Sequence, residues 1–318
     1  MARKKATFPQ VIKPQLVQPA ARPPAGDWQY EIKLDGYRML ARIEGTARLF
    51  TRNQYDWTHR MPLLAKELGT LRVNSAWIDG EVVVQDEDGR PSFSRLQSAF
   101  STGKTAGIVY FAFDLLFLNG EDLRQYPVET RREALAELLS HHELDRVRLS
   151  ETLEADPHQL LMNVCSMQLE GLVGKRIGSQ YRSERNGDWI KLKCGNRQEF
   201  VIVGYTRAGG GIGSLLIGIH DDAGKLTYAG RVRSGFSGKT LDTLKSRLSG
   251  LQCPTTPLSR EPDLRSSLAV VWVKPEVVCE VKFAEITPKG KVRHAVFVAL
   301  REDKPAAGIS LESDNPEP

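Results

Sequence analysis

From Trp28 the chain alternates with period two: Trp28, Tyr30, Ile32 and Leu34 fall on one side, and Glu31, Lys33 and Asp35 on the other. That alternation predicts a strand with an apolar face for a core and a chemically loaded opposite face. Strand-like runs follow at 48–52, 77–84, 109–117, 171–175 and 189–194. Helical spacing appears at 60–68, 130–139 and 157–169, where Pro157 suits a first helical turn. The last of these strands repeats the alternation of the first, with Lys191 and Lys193 on one face and Ile190 and Leu192 on the other. After Gly195 the texture changes to short strands at 200–206, 214–220, 226–233, 277–283 and 294–300, with a helix at 239–248 between the third and the fourth.

Five strands with a helix after the third is the order of an OB barrel, a fold whose groove commonly holds oligonucleotides. The reading is an α+β chain. A domain of antiparallel sheets with flanking helices spans 27–196, and a β-barrel OB domain spans 197–304, with the boundary near Asn196. At 318 residues the chain is long for one core and suits two. Both ends read as poorly ordered. Residues 1–26 carry Pro9, Pro14, Pro19, Pro23 and Pro24 with little periodicity, and 305–318 form a small, polar, acidic tail.

Charge sharpens this division. The net charge is +5, but residues 1–26 hold five Lys/Arg and no acid, while 27–196 hold 22 basic against 25 acidic residues. Residues 197–304 hold 17 against 11, and the last segment carries three acids alone. A basic arm and a basic barrel around a mildly acidic domain point to a polyanionic partner spanning both, with a solvated surface as the alternative. No apolar run approaches the ~18 residues of a membrane helix, and no apolar signal core follows the basic start, so a cytoplasmic, nucleoid-associated protein is expected. The four cysteines are far apart with no C-x-x-C pair, and the six histidines show no ligand spacing. A structural zinc is not expected, and a reducing compartment fits.

The segment from Glu31 to Arg38 is the informative one. A lysine with a carboxylate two residues on, then a glycine that lets the backbone turn, reads as an activated amine or as a solvated strand face ended by a turn. Two ammonium groups at Lys191 and Lys193 on a pocket face would lower the pKa of such a lysine and stabilise phosphate charge. Two glycine-rich stretches are decoys. Ser234 to Thr240 has two residues between its glycines where a phosphate loop needs four, and Gly209 to Gly213 reads as a flexible turn.

Seven segments in order decide between the readings: Glu31 to Arg38, Thr51 to Asn53, Asp79 to Val83, Phe113 to Phe117, Glu170 to Arg176, Trp189 to Lys193 and Arg301 to Lys304. With them the chain resembles the covalent nucleotidyltransferases, specifically the ATP-dependent DNA ligases, and most closely the ligase module of the bacterial end-joining ligases D and C. The resemblance implies ATP as co-substrate, Lys33 as the nucleophile that becomes lysyl-AMP with Asp35 beside it, and Lys191 and Lys193 as catalytic cations. It implies Glu31 as acceptor for the adenine amine, Phe113 stacked on the purine, and Ile32 and Val173 as further nucleotide contacts. Arg38 and Arg52 would grip ribose or the DNA 5′-phosphate, Glu81 the ribose or a metal, and Glu170 the divalent metal, Mg²⁺ or Mn²⁺. Arg301, Asp303 and Lys304 would meet the β- and γ-phosphates when the barrel closes. The implied partner is duplex DNA with a nick or break, with a DNA end-binding protein such as Ku as a family-level expectation and a monomer as the working state. RNA-capping enzymes and a catalytically silent OB module are the alternatives.

Overall fold

A computed structural model describes residues 6–208, 211–264 and 269–311. Gly209 and Gly210 of the predicted flexible turn lie outside the described residues, as do 1–5 and 312–318. The chain divides into two compact units between Cys194 and Gly195.

The first unit is built on two sheets. One has the order Gln18–Pro19, Trp189–Lys193, Gly171–Arg176, Trp28–Ile32, Thr152–Leu153. The other has the order Thr46–Thr51, Tyr37–Glu44, Ala76–Val84, Ile108–Leu118, Glu121–Asp122, with Val147–Leu149 parallel to Ile108–Leu118. Tyr37–Glu44 escapes prediction, although Tyr37, Met39, Ala41 and Ile43 share a buried face; Leu40, also buried, interrupts the polar face of Arg38, Arg42 and Glu44. The helix Phe93–Thr102 is also unpredicted, and its buried face is only Phe93, Leu96 and Ala99. The helix Pro157–Ser166 lays Leu160 and Val164 on Tyr30, Leu172, Ile190 and Leu192, covering the outer face of the first sheet. Asp156 caps it by accepting from the Gln159 N–H. The helix Val128–Ser140 packs on Ile108–Leu118 and turns Arg131 and Arg132 inward. Arg131 meets Asp114 in a fork of 2.7 and 2.8 Å with neither side chain exposed.

Three sequence expectations are corrected. Residues 6–26 form a strap rather than a loose arm. Phe8 packs on Trp77 and Phe117, and Ile12 is 1% exposed. The carbonyls of Pro9, Ile12 and Gln15 accept from Trp77 Nε1, Gln54 Nε2 and Arg38 Nη1. Proline removes donors but keeps carbonyls, so a proline-rich segment can anchor by accepting bonds, and Gln18–Pro19 joins the sheet only at its edge. The segment after Lys304 is folded as far as Ser310: Ile309 is buried, its carbonyl accepts from the His220 N–H, and the Ser310 carbonyl accepts from Gln198. Cys165 and Cys194, 29 residues apart, are disulfide-bonded, because the helix carrying one lies over the strand leading to the other, with Cα atoms 5.2 Å apart.

The second unit is a sheet in the order Leu226–Val232, Gly211–His220, Asn196–Ala208, Val270–Phe283, Gln252–Cys253, with Val296–Leu300 paired to Val270–Phe283. A bridge from Ser234 to Val296 closes it into a barrel. The helix Gly238–Ser249 follows the third of the five main strands, and Ser237 caps it by accepting from the Thr240 N–H. The apparent phosphate loop is therefore a helix cap. No helix among the described residues is long and apolar enough to cross a membrane.

If the strap is part of the core, Ile12→Ala lowers unfolding stability by about 2–4 kcal/mol in urea titration. A loss under about 0.5 kcal/mol, the range of surface substitutions, is the opposite result.

Candidate active site

Trp28–Ile32 ends one residue before Lys33, and the chain then crosses through Lys33, Leu34, Asp35 and Gly36 into Tyr37–Glu44 of the other sheet. The predicted loaded strand is thus a strand followed by a crossover. The Lys33 N–H donates to the Gly171 carbonyl at 2.8 Å, which pins the amine at the exit of its sheet. Gly36 is obligatory here, since a Cβ would lie 2.1 Å from the Val82 carbonyl oxygen. Gly171 is constrained twice, with φ +147° and a Cβ position 2.0 Å from the Leu192 carbonyl oxygen.

Register places the rest. Val173 is paired with Glu31 on one side and Lys191 on the other, so these three side chains form one row across the inner face. Lys175 pairs with Gln29 and Trp189 in a second row on that face, and Gly171 pairs with Lys193 beside Lys33. Ile190 and Leu192 point the other way, into the covering helix. Ile32 likewise packs against that outer cluster rather than facing the inner row.

Lys33 Nζ lies 2.7 and 2.8 Å from the two carboxylate oxygens of Glu170, whose side chain is 7% exposed. Burial pulls the Lys33 amine down, but the charge and hydrogen bond of Glu170 outweigh it, with Glu81 and Asp35 adding to the upward shift. The net direction is up. This reverses the expected depression by Lys191 and Lys193, because carboxylates and not ammonium groups lie nearest the amine.

Glu31 is buried and held by three donors. Its Oε1 takes Arg132 Nη1 at 2.8 Å and Lys175 Nζ at 2.6 Å, and its Oε2 takes Ser150 Oγ at 2.8 Å. Burial, with the Arg132 charge adding to it, holds the Lys175 amine below its ordinary value against the pull of Glu31. Gly80 pairs with Ala112 and Asp79 with Asp114, so Phe113 is the extra residue of a bulge. The bulge leaves the Phe113 carbonyl to Lys175 at 2.9 Å and Arg132 at 3.2 Å. The Phe113 ring packs edge-on against Trp189. Arg38 forks onto Asp79 at 2.9 and 2.5 Å and lies against the Phe113 and Trp189 rings. Asp79 is unexposed and also accepts from the Tyr181 hydroxyl at 2.6 Å. Glu81 is paired in register with Arg38, and Arg52 lies in the turn after Thr46–Thr51.

In the second unit Arg301 forks onto Asp303 at 2.9 and 2.8 Å and approaches Glu280 and Glu199 at 3.4 and 3.5 Å. Lys304 is ion-paired with Glu199, and Arg197 lies 2.9 Å from Glu280. Burial lowers the Lys304 amine against the opposing charge of Glu199. Asp303 sits below the usual carboxylate value because Arg301 outweighs its burial.

The family model for the ATP dependent DNA ligase domain matches residues 14–193, and that for the ATP dependent DNA ligase C terminal region matches 208–304. The chain belongs to the ATP-dependent DNA ligases. It is similar to a multifunctional non-homologous end joining protein LigD of Pseudomonas aeruginosa, 48% identical over 314 residues and 97% of this chain, and to a LigD of Mycobacterium tuberculosis, 36% identical over 296 residues and 91% of this chain. It spans 37% and 38% of the length of those two relatives. In structure it is similar to a mycobacterial DNA ligase D complexed with ATP and MES, with TM-score 0.70 and 34% identity over 93% of this chain and 97% of that one. The ligase domain of M. tuberculosis LigD matches with TM-score 0.51 and 34% identity, over 94% and 98%.

In this ligase the adenylation fold brings Lys33, Asp35, Glu81 and Glu170 into one electrostatic group, and Glu31, Val173, Lys191 and Lys193 onto one face. Arg301, Asp303 and Lys304 belong to the other unit. Sequence reading missed Arg132, Ser150, Asp79 and Tyr181 as partners of the site. Lys175 was missed too, though a signal for it existed, since two residues beyond Val173 on a strand it shares that residue's face. Arg132 gave no such signal, because on a helix an arginine reads as solvated. Among the described residues no three His, Cys, Asp or Glu side chains converge as a metal cage. Two carboxylates with phosphate oxygens and water are nonetheless an ordinary Mg²⁺ set, and Glu170 and Glu81 are donors of that kind.

The upward shift of Lys33 has a sign. The ammonium–Glu170 pair contributes stability that is complete below the ordinary lysine value of 10.5 and is lost only as pH rises through the higher folded value. In metal-free buffer, Glu170→Gln therefore drops the Lys33 titration, followed by NMR of the labelled amine, to below its wild-type position. An unmoved titration would show that Glu170 is not what holds the proton.

Proposed function

We propose that Lys33 is the nucleophile of this ligase. Its Nζ attacks the α-phosphorus of ATP, pyrophosphate leaves, and AMP is held on the amine. AMP then passes to a DNA 5′-phosphate, and the 3′-hydroxyl displaces it to seal the strand. The observation that carries this reading is the placement of one amine at the crossing between two sheets, within 2.8 Å of both oxygens of a buried carboxylate. Glu170 is thus the group beside the proton that the amine must lose. Lys191 and Lys193, on the adjoining strand, neutralise the α-phosphate, and positioning with charge neutralisation dominates such transfers. Glu170 and Glu81 would hold Mg²⁺ or Mn²⁺, which would supply further neutralisation of phosphate charge.

Glu31 keeps an acceptor lone pair on Oε2 for the adenine amine, and Phe113 and Val173 bound the base, with Ile32 turned to the other side of the sheet. Arg38, locked to Asp79, shapes the wall beside Phe113, and Arg52 takes ribose or the 5′-phosphate. Arg301, Asp303 and Lys304 serve the departing pyrophosphate, which requires them to exchange carboxylate partners for phosphate. The name of the P. aeruginosa relative supports end joining as the setting, with nicked or broken duplex as substrate. A monomer acting with a DNA end-binding protein of the Ku kind fits that setting.

Lys33→Ala abolishes covalent labelling by α-labelled ATP on denaturing gels, and label persisting in that variant would remove the assignment. Lys304→Ala loses most lysyl-AMP formation yet seals pre-adenylated nicked DNA. Wild-type labelling by this variant is the result against the role given to the second unit.

A further inference from the structure

We infer that Cys165 and Cys194 are a thiol–disulfide exchange site, oxidised by a low-molecular-weight disulfide such as glutathione disulfide, that straps the segment carrying Glu170 and slows formation of lysyl-AMP. Both cysteines are half-buried, open enough for a small disulfide. The other two lie in the second unit, Cys279 fully buried and Cys253 donating to the Thr255 carbonyl.

The position of the bridge is what gives it consequence. Cys165 is in the last turn of Pro157–Ser166, and Cys194 follows Trp189–Lys193 as the last residue before the division of the chain. The Cys194 N–H donates to the Glu170 carbonyl at 2.9 Å, and the Gln168 N–H to the Cys165 carbonyl at 3.0 Å. The five residues 166–170 are therefore tied at one end to each cysteine. Gln168 between them has φ +61°, the left-handed residue of a helix C-terminal cap in which the Leu169 N–H donates to the Val164 carbonyl at 3.0 Å. At the end of this segment Glu170 grips Lys33 with both oxygens. For Nζ to reach phosphorus it must leave those oxygens, and a segment pinned by the bridge yields less readily than one held by hydrogen bonds at a fraying helix end.

The exchange balances. One cysteine thiolate attacks glutathione disulfide and releases one glutathione thiol, and the second cysteine thiolate then displaces the other. Two electrons pass from the cysteine pair to the small disulfide, and two protons leave with the thiols. Closing a loop of this length also restricts the unfolded chain, which raises the melting temperature of the oxidised form.

The inference rests on Lys33 being the nucleophile only for its kinetic part, so the test has two readouts. The full chain is equilibrated with dithiothreitol or with glutathione disulfide, alkylated under denaturing conditions and weighed, while its melting temperature and single-turnover labelling by ATP are followed. The expected result is loss of two alkylatable thiols on oxidation, mapped to Cys165 and Cys194. With it come a melting temperature higher by about 5–10 °C and labelling slower by roughly tenfold. Cys165→Ser and Cys194→Ser each abolish all three responses, whereas Cys253→Ser with Cys279→Ser keeps them. Both thiols remaining alkylatable across the glutathione series overturns the exchange site. A bridge that forms but leaves labelling unchanged overturns its hold on Glu170. Absence of label in both redox states indicts instead the reading of Lys33, while the thiol count and melting temperature still decide the site.

Discussion

Burying the carboxylate of Glu31 between two sheets is the constraint around which the first unit is arranged. A lone buried carboxylate costs several kcal/mol or gives up its charge, so its partners must be brought from elsewhere in the fold. Arg132 comes from the helix Val128–Ser140 and Lys175 from the neighbouring strand. The helix docks with Arg131 driven deeper still, against Asp114. Removing one member of such a pair strands the other, at a cost of about 3–5 kcal/mol. The same bonds that satisfy the charges therefore hold the inner face in one arrangement before any nucleotide arrives.

The bulge at Phe113 connects this packing to the pocket wall. By opening the ladder it gives up a carbonyl, and Arg132 and Lys175 both take it. Lys175 also lies 4.7 Å from the Phe113 ring centre and 4.5 Å from that of Trp189, and Arg38 approaches the same two rings. The aromatic surface is thus positioned by cations that are themselves fixed by Glu31 and Asp79. The strap from residue 6 closes the arrangement, since the Gln15 carbonyl accepts from Arg38 and the Gln15 N–H donates to the Tyr181 hydroxyl.

The second unit solves a related problem in another way. Arg301 and Lys304 are stabilised by Glu199 and Glu280, which project from paired strands of the barrel. Under the proposed role, a phosphate would have to compete with carboxylates already in place.

Periodicity and order carried much of this protein. Trp28 to Ile32 and Trp189 to Lys193 were legible because each alternates apolar with polar side chains, the barrel was legible in its strand–helix order, and the seven ordered segments identified the family. The pairing of Lys191 with Lys193 on one side came directly from alternation. Spacing along the chain could not supply distances across it. Whether the Lys33 amine is pushed up or down depended on which charges the crossover at Gly36 brought nearest, and those were Glu170, Glu81 and Asp35. The same limit hid Arg132 behind Glu31, 101 residues away, and Cys165 behind Cys194. Proline content misread the strap because composition records missing donors and not the carbonyl acceptors that a folded neighbour can use. The sequence by itself determined most of the elements, the family and the chemical types at the site, all of which rest on local pattern. Only the tertiary structure decided which charges neutralise one another, because Coulomb energy follows distance through space and not along the chain.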